Sequence, residues 1–334
     1  AGDAPVNARR FVSRFMETRP IAPLKFVVVG FGSLNYPDYC SYAIQVDALL
    51  HGHKDFTPWM PLTKINEQGE DAFLAWVEQW NMHTGLQVHL EPDVVGAITP
   101  TKLNCTVLKR TPMTNDDTFL LRLRPDKGTA FQSGDLLQIV PPGERTPRSY
   151  SIARLEGDIL LAVKVHSKGK CSSYLATLKK GEAISAQLHE NHGFHFPETA
   201  PRVWMVANGT GLAPFIGMLH EHKKSRVRLT WGGRNQGSFT PYRTFLNGSL
   251  QELPGIEFQL ALSQEQGRMY VQELLAQQQD EVAHALEEGC VFLLCGSLRM
   301  QQGVLEVLET VCQNELQRPL AYFEEQGQLL TDCY

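Results

Sequence analysis

The chain has 334 residues, 43% hydrophobic and 20% charged, with 27 Gly and 19 Pro, which predicts two or three cored domains and excludes a disordered chain. A formal net charge of −5 excludes a general nucleic-acid binder, and no apolar run reaches the roughly 20 residues of a membrane-spanning helix. Seven scattered cysteines, none in a C-x-x-C pair, signal neither a disulfide framework nor a metal site. Their usage fits a reducing compartment, so a cytoplasmic location is expected. Residue 1 is Ala rather than Met and no signal peptide follows it, so a processed chain or a fragment is expected.

The first predicted strand is Lys25–Gly30 (KFVVVG), a continuous apolar run of the kind buried in parallel sheets. After the Gly- and Pro-bearing loop Phe31–Tyr39, Ala43, Val46, Leu49 and Leu50 recur at helical spacing. Asp55–Leu62 reads as a strand and Asp71–Trp80 as an amphipathic helix. Together they make half of a doubly wound domain, closed by a predicted linker around Pro92 and Gly96–Thr101.

The texture then changes. Leu103–Lys109, Thr118–Arg124, Asp135–Val140, Tyr150–Arg154 and Ile159–His166 are short, β-rich and punctuated by turn residues, which predicts a small antiparallel barrel. From Arg202 the strands Val203–Ala207, Val227–Trp231, Glu257–Ala261 and Val291–Cys295 alternate with helical stretches, the pattern of a parallel α/β sheet. No internal repeat is present.

Chemistry-bearing segments follow these strands in order. Arg148-Ser149-Tyr150-Ser151 enters a barrel strand, and Gly169-Lys170-Cys171-Ser172-Ser173-Tyr174-Leu175 opens a helix. A guanidinium and free helix N–H groups together suit a pyrophosphate, and the Tyr150 ring suits a flat cofactor. RSYS by itself is more often an ordinary strand. Gly209-Thr210-Gly211 lies between a strand and a helix that carries Pro214 in its first turn, so it lacks the third glycine of a full dinucleotide fingerprint. Gly232-Gly233-Arg234-Asn235, Ser263–Gln272 (SQEQGRMYVQ) and Cys295-Gly296-Ser297 all sit at carboxyl ends of strands, where open α/β sheets bind ligands. On residues alone, Cys295 reads as a buried small hydrophobe, Arg268 as a loop charge and Asp332 as a terminal charge.

The ordered series RSYS, GKCSSYL, GTGLAPF, GGRN, SQEQGRMYVQ, CGS and a final aromatic residue resembles the ferredoxin–NADP reductase superfamily, most closely its diflavin reductases. Sulfite reductase flavoproteins and NADPH–haemoprotein reductases are of this kind. VVVGFGSLNYPDYC and GEDAFLAW resemble the carboxyl-terminal half of a flavodoxin-like domain, so the chain is expected to begin within that fold. The implied architecture is a partial flavodoxin-like domain (1–92), a linker (93–101), an antiparallel FAD-binding β-barrel (102–198) and a parallel-sheet NADP-binding domain (199–334). The interval Leu103–Arg148 is too short for the helical insertion of larger diflavin reductases.

The resemblance implies hydride transfer from NADPH to FAD, then electron transfer to a haem or iron–sulfur partner protein. It assigns Ser151, Cys295 and Asp332 to catalysis around the nicotinamide. Arg148, Tyr150, Ser151, Gly169, Cys171, Ser172 and Tyr334 are implied for FAD. Main-chain and hydroxyl donors at 169–172 would serve the pyrophosphate, and Tyr334 would cover the flavin ring. Gly209, Thr210, Gly211, Arg234, Ser263, Arg268, Tyr270, Gln272 and Cys295 are implied for NADPH, with Ser263 and Tyr270 donating to the 2′-phosphate. Gln264 stands where the family usually has an arginine, which predicts a weaker NADPH preference, by about tenfold for one charge-assisted hydrogen bond. Gly32, Tyr36 and Tyr39 match FMN contacts. The phosphate loop of such domains has no counterpart here, so FMN retention by this chain is not expected. Membrane tethering through an upstream segment stays open. Two alternatives also stand: an FAD-only reductase of free flavin or a ferredoxin-type carrier, and a non-catalytic nucleotide-binding docking scaffold.

Overall fold

A computed structural model describes residues 4, 8, 11–17, 22–32, 34, 38–66, 70–88, 101–126, 128–222, 226–252 and 256–334. The chain divides into two compact units, residues 1–100 and 101–334. Tyr36 and linker residues 93–100 lie outside the described residues, whereas Thr101 already opens a strand.

In the first unit, α1 (Phe11–Glu17) precedes β1 (Leu24–Phe26) and β2 (Val29–Gly32). Then come α2 (Ser41–His51), β3 (Phe56–Pro58), β4 (Thr63–Asn66) and α3 (Glu70–Thr84). The expected single strand at Lys25–Gly30 is two short strands, β1 parallel to β3 and β2 parallel to β4. Its partner run Asp55–Leu62 is interrupted likewise. Pro58 and Pro61 carry no N–H, so the ladder lapses between Pro58 and Thr63. Gly30 is required by the crossover: a Cβ there would lie 2.5 Å from the Ala43 Cβ on α2. Trp59, Trp80, Trp76, Phe73 and Phe31 form a chain of ring contacts 5.6–6.1 Å apart along α3. Gly32 backs onto Cys40, and Lys64 lies 5.7 Å over the Tyr39 ring.

The second unit begins with a seven-stranded antiparallel sheet. Its strands are β5 (Thr101–Arg110), β6 (Thr118–Pro125), β7 (Leu136–Ile139), β8 (Arg148–Ser151), β9 (Ala153–Leu155), β10 (Asp158–Lys164) and β11 (Ala183–His189). Their order is β8-β7-β11-β5-β6-β10-β9. The two outermost strands are consecutive in sequence, joined by Ile152 alone, so the sheet curls into a nearly closed barrel. The predicted strand Tyr150–Arg154 is therefore the corner between two strands. β11 was not anticipated from the sequence. Alternation fills both faces of β6 and β10. Phe119, Leu121, Leu123, Ile159, Leu161 and Val163 point into the barrel core. Leu120, Leu160 and Ala162 instead join Met205, Phe215 and Ile216 of the α/β part. Helix α4 (Lys170–Thr177) follows β10.

The parallel sheet contains β12 (Val203–Asn208), β13 (Val227–Gly233), β14 (Ile256–Leu262), β15 (Val291–Gly296) and β16 (Leu329–Cys333), in the order β14-β13-β12-β15-β16. Helices α5 (Leu212–Glu221), α6 (Gln236–Glu252), α7 (Val271–Ala276), α8 (Gln279–Glu287), α9 (Leu298–Asn314) and α10 (Leu320–Glu325) connect them. Strand order reverses between β12 and β15, which opens a crevice beyond their carboxyl ends. β16, the second unanticipated strand, carries Asp332 along the edge of β15.

Candidate functional site

On the barrel side the edge strand β8 presents Arg148 and Ser149 to solvent, Tyr150 half-buried and Ser151 buried. Gly169 caps α4 without a side chain, because a Cβ there would sit 2.6 Å from the Ser172 hydroxyl. The first bond across that turn runs from Ser173 N–H to Gly169 O at 3.0 Å, so the N–H groups of Lys170, Cys171 and Ser172 precede the helical ladder. Ser172 does not supply the expected hydroxyl donor. Its one proton goes to Gly169 O at 3.0 Å, and the residue is buried. The Cys171 thiol is likewise turned inward, donating to Ile139 O at 3.7 Å. Both residues offer an anion only main-chain N–H. Burial, then the adjacent Cys171 thiol, pushes the Tyr150 hydroxyl pKa well up.

Ser151, Cys295 and Asp332 converge. The Ser151 hydroxyl donates to Asp332 Oδ2 at 2.5 Å, and register pairs Asp332 with Cys295 across β15 and β16. Cys295 is fully buried. Burial, then the Asp332 charge, drives its thiol well above the ordinary range, so it remains protonated at neutral pH. Burial also raises the Asp332 carboxyl, partly offset by the bond from Ser151. Tyr334 is anchored beside them. Its N–H donates to Gly296 O at 2.9 Å, and Leu298 N–H donates to its carbonyl at 3.3 Å. Its hydroxyl is 2.9 Å from Thr210 Oγ1.

The turn Gly209–Gly211 is clamped from behind. Gly209 has φ +53°, and its carbonyl accepts from Trp231 Nε1 at 3.0 Å and the Tyr242 hydroxyl at 3.1 Å. Gly211 abuts β15, where a Cβ would come 2.1 Å from Cys295 O. Asn208 bridges the two loops, accepting from Ser297 N–H at 2.8 Å and donating to Ser297 Oγ at 3.0 Å.

These loops border a cleft of about 260 Å³ that includes Gly209, Arg234, Ser263, Tyr270 and Gln272 among its lining residues. Two expectations are modified here. The Ser263 hydroxyl donates to Gly233 O at 3.2 Å, so its proton is committed to the main chain. Arg268 stands against Tyr270 rather than in the lining, donating to its hydroxyl at 2.9 Å with the guanidinium 5.5 Å over the ring. Lys164, Arg299 and Asp116 also line the cleft, and sequence reasoning missed all three. Arg299 was within reach, as the basic residue four positions after Cys295. Lys164 and Asp116 belong to the barrel and reach the cleft through the packing of β10 on α5 and of β6 on α6. Among the described residues no helix is long and apolar enough to cross a membrane, and no group of His, Cys, Asp and Glu could hold a metal.

A family model for the oxidoreductase NAD-binding domain matches residues 205–306. The chain is 29% identical over 227 residues to the chloroplastic embryo isozyme of ferredoxin–NADP reductase from Oryza sativa subsp. japonica, covering 55% of this chain and 60% of the relative. It is 30% identical over 196 residues to the sulfite reductase (NADPH) flavoprotein alpha-component of Vibrio cholerae serotype O1, covering 51% and 31%. It therefore spans only part of these relatives. A solved ferredoxin–NADP+ reductase from Plasmodium falciparum superposes with a TM-score of 0.57 at 18% identity, over 70% of this chain and 96% of that one.

Proposed function

We propose that this chain belongs to the ferredoxin–NADP reductase superfamily, which its similarity to an NAD-binding domain model and to flavoprotein reductases supports, and that residues 101–334 form an NADPH-dependent flavin reductase, with an FAD-binding barrel (102–198), an NADP-binding domain (199–334) and electron delivery to a protein partner. The observation that carries this reading is the Ser151–Asp332 hydrogen bond beside the buried Cys295. Those three residues come from three separate strands, and a nucleotide scaffold has no need of them.

The donor set fits both nucleotides. For FAD, Arg148 and the N–H groups of residues 170–172 offer charge and dipoles to a diphosphate, while Tyr150 offers a half-buried ring. For NADPH, Lys164, Arg234 and Arg299 supply positive charge to the cleft, and Arg268 with Tyr270 supplies a paired cation and ring at its edge. FAD, when bound, supplies hydride acceptance and single-electron release, chemistry that no side chain here can perform. Ser151 holds its proton on Asp332 Oδ2. Asp332 presents negative charge where a nicotinamide ring would become positive, and Cys295 gives that ring a neutral, dry neighbour. Tyr334 excludes water until the nicotinamide replaces it.

A haem or iron–sulfur protein is the proposed acceptor, a choice supported by relatives named for ferredoxin and for sulfite reductase. Seven unpaired cysteines support a cytoplasmic setting. Anaerobic titration of the FAD-loaded chain with NADPH tests the proposal: bleaching of the oxidised flavin band is expected. FAD binding without bleaching would favour the docking scaffold instead.

A further inference from the structure

We propose that the Thr210 hydroxyl is the latch that holds the Tyr334 ring, and that it sets how readily the ring yields to a nicotinamide. The inference rests on the reading of Tyr334 as the cover of the flavin face. Tyr334 is 56% exposed as a residue, but burial around its hydroxyl raises that group's pKa, so the hydroxyl end is where the ring is held. Its main-chain bonds to Gly296 and Leu298 fix the position of its Cα but leave both side-chain torsions free. The bond to Thr210 at 2.9 Å is the one side-chain hydrogen bond that the ring makes among the described residues.

The post at the other end is stiff. Thr210 is β-branched and sits in the Gly209–Gly211 turn, pinned through the Gly209 carbonyl by Trp231 and Tyr242. Close packing of Gly211 on Cys295 O removes the remaining play. A hydrogen bond to such a post selects one ring position, whereas a bond to a mobile loop would not.

The same turn borders the cleft through Asn208 and Gly209. Thr210 is the next residue of that turn and adjoins the lining without being part of it. A nicotinamide must break the Thr210–Tyr334 bond to move the ring, whichever hydroxyl donates it. Thr210 is thus a positioning residue whose bond adds to the cost of moving the ring. NADPH has its 2′-phosphate contacts to help displace the ring, and NADH does not. Loss of the latch should therefore favour NADH.

The test is a double-mutant cycle of Thr210→Val and Tyr334→Phe, with Thr210→Ser as the conservative rescue. In the chain without FAD, each single variant should lower the melting temperature and the double variant should lower it no further. In the FAD-loaded chain, Thr210→Val and Tyr334→Phe should each brighten flavin fluorescence and raise kcat/KM for NADH by about three- to tenfold, the range expected for one neutral hydrogen bond. The double variant should match either single one, and Thr210→Ser should return to the parent values. Additive effects in the double variant, or parental fluorescence and NADH kinetics in Thr210→Val while NADPH still reduces the flavin, overturn the latch and leave the reductase reading intact. Failure of the parent chain to take up FAD overturns that reading, and a flavin latch falls with it.

Discussion

The two ends of the proposed nucleotide site are built differently. Around Ser151, Cys295 and Asp332 the groups are buried or partly buried and bonded to one another, and the backbone beside them is packed closely enough that Gly211 admits no Cβ. Around Arg268 and Tyr270 the groups are exposed, and the cation is held by one hydroxyl and one ring face. Hydride transfer depends on ångström-scale alignment, which a rigid interior provides. Recognition of a phosphate depends on charge, which acts from a solvated edge and tolerates movement.

Asp332→Asn gives the largest separation of the two ends. It keeps the shape but removes the charge, and the rate of flavin reduction should fall about a hundredfold with a smaller change in KM. Stopped-flow reduction by NADPH measures this, and an unchanged rate would deny Asp332 its part. Gly211→Ala probes packing alone. Its Cβ would fall 2.1 Å from Cys295 O, so thermal unfolding should report a loss of about 1–3 kcal/mol.

Arg268→Ala acts on the other end. The KM for NADPH should rise about tenfold, with little change for NADH. Added salt should weaken NADPH binding to the parent more than to the variant. An equal effect on both nucleotides would show that Arg268 does not read the phosphate.

The smallest effect is a pH dependence that belongs to the buried end. Burial raises the Asp332 carboxyl above its ordinary value, so the native chain holds that proton more tightly than the unfolded chain does. Stability from this group is therefore greatest at acid pH and declines as pH rises from about 4 through the raised value. Asp332→Asn has no proton to lose, so its melting temperature relative to the parent should improve across that window. A constant difference would place Asp332 in solvent.

Legibility in the sequence followed the same division. The barrel and the parallel sheet were readable because strand periodicity and glycine punctuation are local. β11 and β16 were not. The first does alternate, with Ile184, Ala186 and Leu188 inward, but it is a short run set close behind a helix, and the other is a short terminal run whose identity as a strand depends on the edge of β15. In the first unit, prolines in the partner strand broke a run that looked continuous by itself.

The sequence determined which residue types stand at the carboxyl ends of the strands, since Gly209–Gly211, Arg234, Ser263–Gln272 and Cys295 each follow their own strand. Tertiary structure decided what those residues do with their hydrogen bonds. It joined Ser151 to Asp332 and Thr210 to Tyr334, turned the protons of Ser172 and Ser263 to the main chain, and brought Lys164 and Asp116 into a cleft of the other fold half. The physical reason is that strand and turn formation depends on neighbours along the chain, whereas a hydroxyl's partner and a carboxylate's burial depend on which surfaces pack together.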